Sequence, residues 1–98
     1  TFIDRYTEKY GYVPDDVAAL TWDATRIVLQ AIQDTGGLRG KLKKDRKAVL
    51  KAMSQIPSFA GITGDMKFDE QGDPVKCAVV VRISDSGDFE FTESVCPQ

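Results

Sequence analysis

Apolar residues recur at helical spacing in the first part of the chain. Phe2, Tyr6 and Tyr10 stand four residues apart, and Gly11 follows them directly. A four-residue interval places side chains on one face of a helix, and glycine readily adopts the left-handed conformation that ends one. The pattern predicts a short amphipathic helix over residues 2–10.

A second and longer helix is predicted between Asp15 and the glycine pair at residues 36–37. Asp15 is suited to cap the helix because its carboxylate can accept backbone N–H groups of the first turn. Trp22 falls one step off the apolar stripe, so we expect it to pack between helices. The stripe itself comprises Leu20, Ala24, Ile27, Val28 and Ala31.

A third helix is predicted to begin at Asp45, after a basic loop over residues 38–44, and to end before Pro57. Asp45 is the candidate N-cap, and proline cannot continue a helix. The residues expected to face the core are Val49, Leu50, Met53 and Ile56.

After Pro57 the pattern becomes that of β-structure. Residues 59–64 form a glycine-rich turn region, and the next apolar residues, Met66 and Phe68, alternate with polar ones as in a short strand. Residues 69–74 have strong turn chemistry, and two further strands are predicted, over residues 75–84 and 88–95, on either side of a turn at residues 85–87. The chain therefore reads as α+β, with three helices followed by a short strand and a β-hairpin.

Two registers are possible for this hairpin. A two-residue loop at residues 86–87 would place Cys77 opposite Cys96 and favour a disulfide. The same register would place Ile83 opposite Glu90 and so mix apolar and polar side chains on one face.

A three-residue loop at residues 85–87 instead pairs Ile83 with Phe89 and Val81 with Phe91. A slip of one residue turns every side chain to the other face, so the apolar face decides the register. We favour the three-residue loop. A disulfide between the two cysteines then requires a bulge or frayed strand ends, and it stays an open alternative.

The charge is small overall but unevenly distributed. The net charge is −2, which gives no global attraction to nucleic acid or to an anionic membrane. Residues 39–51 contain seven basic residues and one acid, whereas residues 65–98 contain eight acids and three bases. The basic segment lacks interleaved aromatic residues, so a solvated helix face is favoured over a nucleic-acid surface.

The composition argues against catalysis and metal binding. The chain has no histidine, and two cysteines are too few for a zinc framework. The acids between residues 65 and 73 do not alternate as in a calcium loop, so they are interpreted as turn residues. We predict no catalytic residue, no metal and no cofactor.

Several segments stand in a recognisable order. Residues 22–24 read Trp-Asp-Ala within the long helix, residues 59–64 read Phe-Ala-Gly-Ile-Thr-Gly, and residues 68–73 read Phe-Asp-Glu-Gln-Gly-Asp. A pair of strands follows them. This order resembles the C-terminal part of type 1 periplasmic binding proteins, the branched-chain amino-acid receptor family, over nearly the whole chain.

The resemblance implies a parent α/β fold of two hinged lobes that close on a ligand. Residues 1–68 would then belong to the first lobe, residues 69–76 to a hinge crossover, and residues 77–98 to a β-hairpin of the second lobe. The hinge residues would be Asp69, Gly72 and Asp73.

The resemblance also implies a partner and a location. The parent would be periplasmic or extracellular and would deliver an amino-acid-like solute to an ABC transporter permease. Its ligand-binding residues here would be Val17, where the family commonly has an aromatic residue, and the neighbouring Asp16. A sensory-receptor ectodomain and a standalone interaction module using the basic helix are the alternatives. Because much apolar surface would be uncovered, we expect the isolated chain to self-associate.

Overall fold

The computed structural model describes residues 1–97, so Gln98, the last residue of the predicted 77–98 segment, lies outside it. Over the described residues the chain forms three helices and then five strands, which confirms the α+β class. The helices are α1 (Phe2–Tyr10), α2 (Asp16–Asp34) and α3 (Leu42–Ser54); the strands are β1 (Phe59–Gly61), β2 (Gly64–Phe68), β3 (Pro74–Lys76), β4 (Ala78–Ile83) and β5 (Phe89–Val95).

The first two helices begin and end where their caps predict. Thr1 and Asp4 form a reciprocal capping box at the start of α1, and Gly11 ends this helix with φ 80°. At the start of α2, the Asp15 carboxylate accepts the Ala18 N–H at 2.8 Å. Local hydrogen bonding therefore sets both helix starts.

The predicted N-cap of α3 is wrong, because Lys41, four residues before Asp45, occupies that position. The helix begins at Leu42, and Asp45 lies inside its first turn, where its carboxylate accepts the backbone N–H groups of Arg39 and Lys41 at 3.1 Å. Asp45 thus satisfies backbone donors from within the helix rather than from its end. Leu50, predicted to face the core, is 69% exposed because α3 turns a neighbouring face, on which Val49 and Met53 are half-buried, toward the rest of the chain.

The segment after Pro57 contains more strands than the pattern predicted. Residues 59–61 are a strand rather than part of a turn, and β1, β2 and β3 form an antiparallel sheet in that order. The predicted long strand from residue 75 is interrupted at Cys77, so β3 pairs with β2 while β4 pairs with β5. Three-residue strands with glycine carry too little periodicity to be read from sequence.

The hairpin adopts the predicted three-residue loop. Ile83 pairs with Phe89 and Val81 with Phe91, and Gly87 has φ 86°. The apolar residues of the two strands consequently share a face, as the choice of register required.

A bulge reconciles this register with a disulfide. Val80 pairs with Glu93 although Val81 pairs with Phe91, so Thr92 is the additional residue in β5. From that point the strands run in the other register, and Cys77 is joined to Cys96 by a disulfide. The three-residue loop and the disulfide, which the sequence left as alternatives, are therefore present in the same hairpin.

Little of the chain is buried. The buried residues among 1–97 are Asp23, Ile27 and Ala31, which lie four residues apart on one face of α2. The radius of gyration is 16.8 Å, against about 13 Å for a compact domain of this length. On the hairpin, Phe89 is 77% and Phe91 69% exposed, so the predicted uncovered apolar surface is present.

Candidate functional site

The most completely hydrogen-bonded side chain is Asp23, in the middle of α2. Its carboxylate accepts the Ile62 N–H at 3.0 Å and the Thr63 N–H at 2.9 Å, and it also accepts the Thr63 hydroxyl. Ile62 and Thr63 form the tight turn between β1 and β2. Burying a carboxylate is unfavourable unless donors compensate it, and here three do. We call this group of three residues the Asp23 clamp.

The clamp extends to the third strand of the sheet. Lys76 of β3 donates a hydrogen bond from Nζ to the Thr63 hydroxyl oxygen, which in turn donates to Asp23. Burial acts to raise the pKa of Asp23, but the hydrogen bonds from Thr63 and Ile62 and the charge of Lys76 outweigh it and hold this pKa below its usual range. Asp23 is therefore ionised at neutral pH, and it links α2 to the turn between β1 and β2 and, through Thr63, to β3.

Gly61 leaves the space that the Asp23 carboxylate occupies. A Cβ atom on Gly61 would lie 2.4 Å from Oδ2 and 2.7 Å from Cγ of Asp23. The backbone of Gly61 is not left-handed, so glycine is required for close approach rather than for conformation.

The two predicted ligand-binding residues lie at the N-terminal end of the same helix. Asp16 is exposed in the first turn of α2, and Val17 is 64% exposed. They precede Asp23 by seven and six residues, or about 10 Å along the helix axis. The clamp thus determines where this end of α2 stands relative to the sheet. Their part in ligand binding stays a prediction.

The predicted hinge residues form the hairpin turn between β2 and β3. The Asp69 carboxylate accepts the backbone N–H groups of Gln71 at 2.9 Å and Asp73 at 2.8 Å. Gly72 has φ 87°, a conformation that favours glycine. Asp69, Gly72 and Asp73 are thus brought together in one ordered turn, eight residues or fewer before Cys77, where the chain passes to the second sheet. Hinge motion at this turn stays a prediction.

An aromatic cluster joins α1 to α2. The ring centroids of Phe2 and Trp22 are 5.1 Å apart, so Trp22 packs between helices as its place beside the apolar stripe predicted. An open groove of about 900 Å³ runs along this contact and reaches Ile62. Its aromatic and cationic lining comprises Phe2, Tyr6, Tyr10, Trp22, Arg5, Lys9 and Arg26.

Residues 1–97 show neither a cluster of metal-binding side chains nor a helix suited to span a membrane. These residues contain no group of three or more His, Cys, Asp or Glu side chains that could hold a metal ion. In the same part of the chain, no helix has both the length and the apolar character needed to cross a bilayer.

The role of Asp23 was not evident from its motif. Asp23 precedes Ile27 by four residues and Ala31 by eight, so it belongs to the stripe that becomes the buried face of α2. An acid on a buried stripe needs hydrogen-bond donors, and the glycine-flanked turn at residues 61–64 has free backbone N–H groups. These two signals together could have identified the contact.

Comparison with known proteins agrees with this architecture. A family model described as periplasmic binding protein matches residues 1–88. No curated protein sequence matches the chain. Among solved structures, the leucine-binding protein LivK from Thermotoga maritima MSB8 is 30% identical, with a TM-score of 0.79 over 98% of this chain.

The match is to part of a larger protein. The chain spans 25% of the length of the Thermotoga leucine-binding protein. Both comparisons are with binding proteins; the family model ends at residue 88, before β5, whereas the structural match covers 98% of the chain. This chain therefore belongs to the periplasmic binding protein family, as its sequence predicted.

Proposed function

We propose that this chain is part of a receptor for amino acids or related carboxylates that serves an ABC uptake system and closes about a hinge. The observation that carries the proposal is the likeness to a leucine-binding protein over 98% of the chain. In such a receptor, affinity arises from contacts made by both lobes in the closed state. Like the family, the receptor would work outside the cytoplasm.

The exposed apolar surface supports a role inside a larger two-lobed protein. On the hairpin and on α2, Phe89 and Leu29 are more than half exposed, although apolar side chains of this size are usually buried. In the proposed receptor, the remainder of the two lobes covers them. We expect the isolated chain to cover these residues by self-association. Analytical sedimentation tests this, and a strictly monomeric chain at high concentration would contradict it.

Within the receptor, the chain would contribute the edge of the ligand cleft. Val17 and Asp16 stand at the exposed start of α2, and the Asp23 clamp fixes this helix to the sheet. The Asp69–Asp73 turn would be the last crossover between the lobes. The negative charge of Asp16 is suited to an ammonium group and disfavours a carboxylate at the same point.

A thermal-shift experiment on the full-length protein tests the proposal. We expect leucine or a related amino acid, present at about 100 times its dissociation constant, to stabilise the protein by about 2.7 kcal/mol. The chain is about a quarter of the length of its leucine-binding relative, so a full-length protein of about 380 residues would unfold with an entropy of about 0.8 kcal/mol/K, and the stabilisation corresponds to a rise in Tm of about 3 °C. The decarboxylated amine and the deaminated acid of the same amino acid serve as controls. A panel of amino acids and carboxylates that leaves Tm unchanged would contradict the proposal.

A pair of valine variants tests the position of the cleft. Val17→Asp should weaken binding of the solute about tenfold or more, because it places a charge where the ligand would lie. Val13→Asp is the matched control, since Val13 is exposed to the same extent (66% against 64%) but lies ahead of the helix. Equal affinities of the two variants, measured by calorimetry, would remove Val17 from the site.

A further inference from the structure

The outer side of α3 combines several lysines with an exposed leucine. The lysines at residues 43, 47 and 51 form one row, because side chains four residues apart share a face of a helix. Leu50 lies beside this row and is 69% exposed. We call this surface the basic face; its members, all exposed, are Lys43, Lys44, Lys47, Leu50 and Lys51.

The basic face is unfavourable for the helix that carries it. Like charges four residues apart repel one another, and Lys43 and Lys44 in the first turn oppose the positive end of the helix dipole. The N-cap residue Lys41 makes no side-chain capping bond. Among the lysines of the basic face, Lys51 in the last turn interacts favourably with the dipole, so it is the others that indicate a role outside the helix.

Nothing nearby neutralises these charges. The one acid of the segment, Asp45, is hydrogen-bonded to the backbone of Arg39 and Lys41. Across residues 1–97, the salt bridges involve the chain's N-terminus and Arg82, and none involves a lysine of the basic face. The lysines are therefore free to meet an external anion.

The rest of the chain carries the opposite charge. Seven bases and one acid give residues 39–51 a charge of +6. Because the net charge of the chain is −2, the remaining residues together carry a charge of −8. An anionic surface would attract α3 and repel the acidic strands, and this would orient the molecule as well as bind it.

We propose that the basic face docks on the anionic phospholipid surface of a membrane, with Leu50 inserting among the headgroups. Lysine-rich helix faces are attracted to anionic lipid surfaces, where Leu50 and the lysine stems would add apolar contact. A nucleic-acid surface would instead be expected to present aromatic residues for stacking. Docking would hold the protein at the membrane whichever solute it binds, so the inference goes beyond the proposed function.

Binding of the full-length protein to lipid vesicles tests this inference. We expect co-sedimentation with vesicles of phosphatidylglycerol mixed with phosphatidylcholine, none with phosphatidylcholine alone, and weaker binding at high salt. Replacing lysines 43, 47 and 51 with glutamine should weaken binding about 100-fold, at about fivefold for each lysine. Leu50→Ser should weaken it about tenfold and leave the salt dependence in place.

A charge-matched variant separates the basic face from net charge. Arg5→Gln, Lys9→Gln and Lys67→Gln together make the same charge change on other elements, and this variant should bind vesicles as the parent does. Circular dichroism of each variant serves as the control for folding.

Three results would overturn the inference. The first is vesicle binding that does not depend on phosphatidylglycerol, and the second is an equal loss of vesicle affinity in the two triple variants. The third is a Leu50→Ser variant that binds both vesicles and heparin, a soluble polyanion, as tightly as the parent does. The last result would indicate a soluble polyanion as the partner.

Discussion

Replacing Asp23 with alanine is expected to lower the free energy of unfolding of the full-length protein by about 4 kcal/mol. The carboxylate accepts three hydrogen bonds from Ile62 and Thr63, and its removal leaves these donors without their acceptor and the Lys76 charge without a neighbouring negative charge. Chemical denaturation monitored by circular dichroism measures the loss. Asp16→Ala is the control, because Asp16 is exposed on the same helix and should contribute less than about 1 kcal/mol.

The contribution of Asp23 should also depend on pH. The folded-state pKa of Asp23 lies below the unfolded value of about 3.9, so its stabilisation is present above that value and is lost as the pH falls through the folded-state pKa. Asp23→Asn should lack this acid-dependent part. If the variant and the parent lose stability in parallel below pH 4, Asp23 is not held ionised by the clamp.

Replacing Gly61 with alanine is expected to cost about 3 kcal/mol, a large effect for the addition of one methyl group. The new Cβ would lie 2.4 Å from Asp23 Oδ2, so the carboxylate or the turn must move and its hydrogen bonds must lengthen. Denaturation midpoints of the two proteins measure the cost. Ala60→Ser, at the exposed neighbouring position of β1, should have little effect.

The double variant distinguishes a clash with Asp23 from a general intolerance of β1. In an Asp23→Ala background the space beside Gly61 is empty, so the alanine should cost less than about 1 kcal/mol. The two substitutions are therefore expected to be strongly non-additive. Additive effects would mean that the Gly61 backbone is restricted by something other than Asp23.

Local rules were sufficient for the first two helices and for the register of the hairpin. Capping by Asp15 and termination by Gly11 follow from hydrogen bonding of neighbouring residues, and the hairpin register follows from the shared apolar face. Asp45 misled because a carboxylate inside a first turn can satisfy the same donors as one at the cap. The bulge at Thr92 was only an alternative, since it arises from combining one register near the loop with a disulfide at the strand ends.

The candidate site was less accessible to local rules. The Asp23 clamp joins residues that are about 40 positions apart, and only tertiary packing shows that the turn at residues 62–63 points at α2. Leu50 was misassigned for a related reason. Helical periodicity shows which apolar residues share a face of the helix, but the position of the neighbouring element decides which of them are buried. Only the resemblance to periplasmic binding proteins, and not periodicity, indicated how distant segments of the chain belong to one larger fold.

Small-angle X-ray scattering of the full-length protein measures most directly whether the two lobes close on a solute. The solute is one that raises the melting temperature. We predict that its addition decreases the radius of gyration, because the two lobes approach one another about the turn at Asp69–Asp73. A solute that stabilises the protein while the scattering curve stays unchanged would contradict hinge closure.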